Sequence, residues 1–189
     1  MLARLVSIVA LSCIPIAGCG GSGDDGEDAK APATTPLTAP GEPDPLALPA
    51  DVPRKASGSV DAAKARVIRG WADALRGGDV AGASARWAIP AMIQNGTPLL
   101  RLRRRADVRA FNGSLPCGAV VTRTRGASDG FTIVEFRLTE RRGGDCGSGV
   151  GGTARTAILV RDGKIAEWYR LPEEGAPAPD ATDGPAVES

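Results

Sequence analysis

TARTAILVR-DG-KIAEWYRL, residues 153–171, decides the fold. Thr153 to Arg161 is a β-prone run, and Lys164 to Leu171 is another. Asp162-Gly163 between them is a two-residue turn signal, because both central positions of a tight hairpin favour positive φ. Upstream, Phe131 to Thr139 alternates. Val134, Phe136 and Leu138 fall on one side, Glu135 and Arg137 on the other, the period of a half-buried strand. Ala119 to Thr124 adds one more β-rich piece. The second half of the chain therefore reads as an antiparallel meander.

Before Cys117 the period is helical. Val60, Ala63, Val67, Trp71, Ala74 and Leu75 recur at helix spacing, with Ser59 as the expected N-cap and Asp61 in the first turn. Lys64, Arg66, Arg69, Asp73 and Arg76 lie mostly off that stripe, and Gly77-Gly78 stops it. Asp79 is expected to cap a second helix that faces Val80, Ala83 and Trp87 inward and ends at Pro90. Asn95-Gly96 marks a turn, and Pro98 to Leu102 a short extended piece. Arg105 to Leu115 reads as a third helix with Val108, Phe111 and Leu115 inward. Helices followed by a meander predict an α+β domain with helices on one sheet face, from Ser59 to Pro172.

The flanks have a different composition. Gly20-Gly21-Ser22-Gly23, an acidic run at Asp24, Asp25, Glu27 and Asp28, and seven prolines from Pro32 to Pro53 predict an unfolded tether over residues 19–58. Residues 173–189 repeat that pattern as an acidic tail. The folded stretch carries 19 Lys and Arg against 10 Asp and Glu, a basic surface between acidic ends. Arg101, Arg103, Arg104 and Arg105 are its densest basic run, read as a solvated face.

Residues 1–18 read as an export signal. Met1 to Arg4 carries one positive charge, and the apolar stretch from Leu5 to Gly18 falls short of the ~20 residues that span a bilayer. Ile16-Ala17-Gly18-Cys19 resembles a bacterial lipobox. That resemblance implies cleavage before Cys19, its lipidation with palmitate-type chains, and a membrane-anchored protein outside the cytoplasm, in the cell envelope. Cys13 is a weaker lipid site, because a short apolar core precedes it. Cys117 and Cys146 are then the thiols left in an oxidising compartment, and they are expected to pair. Closing that loop stabilises by roughly 3–4 kcal/mol on a chain-entropy estimate.

Helix, Gly78-Asp79 turn, helix ending near Pro90, Asn95-Gly96, third helix and long hairpins closing in Asp162-Gly163-Lys164-Ile165 together resemble the NTF2-like superfamily, in its SnoaL-like branch. The resemblance spans Ser59 to Pro172. It implies a cone in which three N-terminal helices pack in a curved antiparallel sheet, with a pocket at the open end. It also implies, for many relatives, homodimers through the sheet. Relatives include isomerases, cyclases, dehydratases, epoxide hydrolases and ligand binders, so fold alone selects none of these. Several relatives carry an aspartate beside the proline after the second helix. Here Pro90 is followed by Ala91, a departure that argues against isomerase or cyclase chemistry.

Histidine is absent, which excludes Ser-His-Asp and Cys-His catalysis and His-ligated metals. No metal, cofactor or nucleic acid is expected. The catalytic candidates are Glu135, Arg137, Glu167 and Tyr169. Two carboxylates and a guanidinium on neighbouring strands have the composition needed to activate water for epoxide opening, provided burial holds one acid neutral. Against this, Glu135 and Arg137 alternate away from the apolar side, where cross-strand ion pairing is the simpler reading. Trp71, Trp87, Phe111 and Trp168 are the pocket-wall candidates. Gly147-Ser148-Gly149-Val150-Gly151-Gly152 has the letters of a dinucleotide loop but is followed by a strand instead of a helix, so it reads as a hairpin loop. The leading expectation is a lipoprotein that binds a small apolar ligand or a partner without catalysis. The alternative is an envelope hydrolase or lyase using pocket carboxylates. Whether Glu135, Arg137 or Glu167 lines the internal cavity separates them.

Overall fold

The computed structural model describes residues 44–173. The export signal, Cys13, Cys19 and most of the expected tether and tail lie outside them. Three α-helices, α1 (Ala62–Arg76), α2 (Val80–Ala85) and α3 (Arg105–Ser114), accompany six strands. The strands are β1 (Trp87–Gln94), β2 (Leu100–Leu102), β3 (Gly118–Gly126), β4 (Phe131–Thr139), β5 (Thr153–Arg161) and β6 (Lys164–Leu171). They form one sheet in the order β2-β1-β6-β5-β4-β3. Every pairing is antiparallel except β1 with β6, which is parallel. Among the described residues no helix is long and apolar enough to cross a membrane.

The mixed α+β architecture agrees with the sequence reading, and the differences have physical causes. The N-cap of α1 is Asp61, not Ser59; its carboxylate accepts from the N–H groups of Ala63 (2.8 Å) and Lys64 (3.0 Å). Those bonds hold the Asp61 carboxyl below its ordinary pKa. The buried stripe of α1 is Ala65, Ile68, Trp71, Ala72 and Leu75, so only Trp71 and Leu75 of the expected stripe are fully buried. Gly78 takes φ +82° after the helix, a conformation that favours glycine.

The larger correction is Trp87–Gln94. Its first four residues, expected as the end of a helix that stops at Pro90, belong with the rest to strand β1, with a cis Ile89–Pro90 peptide. Its alanines and proline carry little β signal, and pairing with β2 and β6 imposes the conformation. The sheet is therefore not wholly antiparallel, and a hairpin separates α2 from α3.

Each sheet face buries its own apolar cluster. Helix residues Ile68, Trp71, Leu75 and Val108 pack on Val134, Phe136, Ile158 and Trp168 of what we call the helix face. On the opposite face, Phe131, Ile133, Ala157, Leu159, Tyr169 and Leu171 pack with Val52, Leu48 and Ala56. Those last three belong to the segment expected to be the end of an unfolded tether. Residues 44–58 instead form a strap: Val52 is 1% exposed. Gln94 Nε2 donates to the Leu46 carbonyl at 2.8 Å, Arg155 Nη2 donates to the Arg54 carbonyl at 2.6 Å, and Gly58 bridges Gly126. Three apolar side chains spaced four apart satisfy a sheet face that would otherwise expose a large apolar patch.

Candidate functional site

The helix face encloses a cavity of about 200 Å³, partly open to solvent. α1 supplies Trp71 and Leu75. The chain leaving α3 supplies Leu115, Pro116 and Cys117. The sheet supplies Ala119, Phe136, Leu138, Ala154, Thr156, Trp168 and Arg170, and Asn95 follows β1. No aspartate or glutamate is among these lining residues.

Several contacts fix the walls. Trp71 Nε1 donates to Asn112 Oδ1 at 2.8 Å, and Asn112 Nδ2 donates to the Val108 carbonyl, tying α1 to α3 through a fully buried amide. Trp71 meets Phe136 and Trp168 edge-on, at centroid distances of 6.1 and 6.4 Å. The end of α3 is held by Arg141, only 6% exposed, whose Nη1 donates to the carbonyls of Asn112 (2.9 Å) and Leu115. A buried guanidinium there answers carbonyls that the helix leaves unpaired and complements the helix dipole. Beside the cavity, Cys117 and Cys146 are joined by a disulfide. The glycine loop wraps it: a side chain at Gly149 would stand 3.2 Å from both sulfurs, and Gly147 and Gly151 have positive φ. The glycines thus serve loop geometry, and strand β5 follows them.

Polar side chains are few among the lining residues. Thr156 Oγ1 and Trp168 Nε1 are buried without a hydrogen-bond partner among the described residues. Both side chains belong to the helix face, in phase with Ala154 and Ile158 on β5 and next to Arg170 on β6. Thr156 lies directly opposite Arg170, and Ile158 opposite Trp168, so Thr156 and Trp168 are diagonal neighbours. Arg170 Nη2 donates to the Thr153 carbonyl at 3.3 Å and to Glu173 Oε1 at 3.1 Å.

The expected catalytic residues stand elsewhere. Glu135, Arg137, Glu167 and Tyr169 all belong to the strap face. Glu135 lies opposite Arg155 and Arg123, with Arg123 Nη1 3.8 Å from Glu135 Oε1. Arg137 is exposed. Tyr169 donates its hydroxyl to Glu167 Oε2 at 2.8 Å, and Arg161 Nη2 is 3.5 Å from Glu167 Oε1. Burial, then the bond to Glu167, pushes the Tyr169 hydroxyl above its ordinary pKa of 10.0. Glu135 and Glu167 sit two strands apart and four register positions along, roughly 15 Å at standard spacings, too far to share one water. Of the wall candidates, Trp71 and Trp168 line the cavity. Trp87 is fully buried behind it, 5.3 Å from Phe111, which in turn stands 5.7 Å from Trp168. The arginine run is partly structural: Arg105 Nη1 donates to the Ser84 carbonyl at 2.7 Å, and Arg104 Nη2 to Asp107 at 3.0 Å. That bond lowers the Asp107 carboxyl pKa.

Sequence reasoning missed Thr156, Arg170 and Asn95. Thr156 had a usable signal, being the one hydroxyl among Ala154, Ile158 and Val160 on the inward phase of β5.

No family model and no curated protein matches the chain. Solved structures do. A candidate ketosteroid isomerase from Kribbella flavida is 22% identical, with a TM-score of 0.46, over 62% of this chain and 83% of its own. A candidate polyketide cyclase from Sinorhizobium meliloti is 14% identical (TM-score 0.46; 56% and 94% covered). An NTF2-like protein of unknown function from Cytophaga hutchinsonii is 9% identical (TM-score 0.46; 60% and 90% covered).

Proposed function

We propose that this chain is an extracytoplasmic lipoprotein, anchored through Cys19, whose NTF2-like domain holds a small apolar molecule in the helix-face cavity without transforming it. The observation that carries the reading is the cavity lining, apolar on most sides and without a carboxylate among the described residues. A hydrolase or lyase of the kind considered above needs an acid and a base within reach of one substrate. Glu135 and Glu167 stand on the other side of the sheet, each beside an arginine. The size is suited to one ring or a short chain, since a cavity of about 150 Å³ lined by apolar side chains suffices for benzene. Two acyl chains on Cys19 would anchor the protein, where one holds only marginally.

Thermal melting of the full chain with single-ring hydrocarbons tests the binding. Saturating α-methylstyrene is expected to raise the melting temperature of the wild type and to leave an Ala119→Phe variant, whose new ring occupies the cavity, unchanged. No shift in the wild type, or an equal shift in both proteins, overturns the reading. The anchor is tested separately: Cys19→Ser is expected to move the protein from the membrane fraction to the soluble one.

A further inference from the structure

Five large apolar side chains stay exposed among the described residues, and three of them gather at one end of the sheet. Leu99 (41% exposed) and Leu100 (47%) follow the turn between β1 and β2, with Leu100 opposite Ile93. Leu46 (53%) stands beside that turn: Gln94 Nε2 donates to its carbonyl, and it lines one groove with Gly96. The charge along this edge is of one sign. From Val80 to Ala106 the chain has five arginines and no aspartate or glutamate. Arg101 and Arg103 continue from Leu100, are exposed, and make no ion pair among the described residues. Carboxylates bordering the region are engaged: Asp107 with Arg104 at 3.0 Å, Glu167 with Arg161 at 3.5 Å and Glu173 with Arg170 at 3.1 Å. Asp44 accepts from the Leu46 N–H at 2.8 Å. We infer that Leu46, Leu99, Leu100, Arg101 and Arg103 rest on the surface of a bilayer rich in anionic phospholipid; this builds on the anchored reading above.

Arginines alone would only guard the edge, since β2 ends the sheet and charged side chains keep an edge strand from pairing with another chain. Exposed leucines set among them do the opposite, because an apolar patch rimmed by polar groups marks a contact site. A bilayer answers both halves. Guanidinium N–H groups pair with phosphate headgroups, and the leucines enter the boundary of the acyl chains, the two contributions that hold a protein on a membrane surface. An acidic protein would meet the arginines equally well, but placement favours the bilayer. The chain enters the described domain at Asp44, beside this same turn. Only 25 positions separate Cys19 from Asp44, and a coil of that length reaches about 25–30 Å, roughly the width of a small domain. An anchored Cys19 therefore keeps a bilayer at high effective concentration beside the patch. The strap, by seating Leu46 on Gln94, turns the position of the anchor into an orientation of the domain.

Co-sedimentation with vesicles tests the surface apart from the anchor. The full chain carrying Cys19→Ser is mixed with vesicles of phosphatidylcholine, either alone or with about one-third phosphatidylglycerol. Residues 1–18 are common to every protein compared. This parent is expected to bind the anionic vesicles about tenfold more tightly or better, and to lose that preference in high salt. Arg101→Gln with Arg103→Gln is expected to weaken anionic binding about twentyfold, since each cation at such a surface contributes roughly fivefold. Leu99→Ser with Leu100→Ser is expected to weaken it about tenfold. Arg125→Gln with Arg137→Gln, on the strands at the other end of the sheet order, is expected to stay within about twofold of the parent. All six altered side chains are exposed, so each variant should fold, and melting curves check this. No preference for anionic vesicles in the parent, or an equal loss in the distant arginine pair, overturns the inference. A loss in the edge arginine pair with none in the leucine pair points to a soluble acidic partner and overturns the bilayer. If the unaltered chain stays in the membrane fraction while the vesicle result is negative, the anchor stands and only the docking surface falls.

Discussion

The two faces of the sheet divide the protein's chemistry unequally. The strap face carries most of the charged groups that first suggest catalysis, and it has already used them on itself. Tyr169 is bonded to Glu167, Glu167 lies against Arg161, Glu135 lies against Arg123, and Arg155 holds the strap at Arg54. The helix face has fewer polar groups and encloses a cavity of about 200 Å³ with no carboxylate among its described lining residues. Paired charges satisfy one another on the strap face, whereas the carboxylate-free cavity lies on the other face. Residue type alone ranks these faces in the wrong order.

The comparison breaks most visibly at the strap. Val52→Asp would place a charge among Phe131, Ile133, Leu159 and Leu171, and is expected to cost about 4 kcal/mol, an uncompensated buried charge. Thermal melting checks this. A loss below about 0.5 kcal/mol would mean that the strap merely rests on the sheet. On the other face, replacing Cys117 and Cys146 by serine is expected to cost roughly 3–4 kcal/mol and to loosen the cavity rim, with weaker binding of α-methylstyrene.

A smaller effect tests the paired groups of the strap face. Tyr169→Phe removes the bond to Glu167 and is expected to cost about 1 kcal/mol at neutral pH. Because the folded-state pKa of Tyr169 is raised, its contribution is full below the unfolded value of 10.0 and declines as the pH rises above it. Alkaline melting of the wild type should therefore fall more steeply than that of Tyr169→Phe. The smallest change is Glu135→Gln. An exposed pair of this kind contributes between 0 and about 1 kcal/mol, and α-methylstyrene binding should not move. A loss of binding would bring Glu135 back as a functional residue.

Much of the fold can be read from local pattern. Val134, Phe136 and Leu138 alternate with Glu135 and Arg137 because side chains on a strand point to opposite faces, and the structure keeps that assignment. Asp162-Gly163 turns the last hairpin with both residues at positive φ, the conformation its residue types favour. Trp87–Gln94 resists such reading. WAIPAMIQ has neither clear alternation nor β-branched density, and its strand state comes from a parallel partner more than 70 positions away in sequence. Leu48, Val52 and Ala56 resist it too, since a proline-rich stretch with three apolar residues looks unfolded until a sheet face exists to receive them. The site was half legible. Trp71 and Trp168 were identifiable as bulky inward residues, while Asn95, Thr156 and Arg170 join the lining only through the packing of segments far apart in the chain.

The amino-acid order by itself determined the α+β class, the last two hairpins, the glycine-stopped first helix, and the inward phase of Phe131–Thr139. These follow from periods of 3.6 and 2 and from turn chemistry within a few residues. Tertiary structure alone decided that residues 44–58 cover a sheet face, that Trp87–Gln94 is a strand, and that the carboxylates and the cavity lie on opposite sides of the sheet. Those outcomes depend on contacts between segments far apart in the chain, where the apolar area removed from water outweighs local preference.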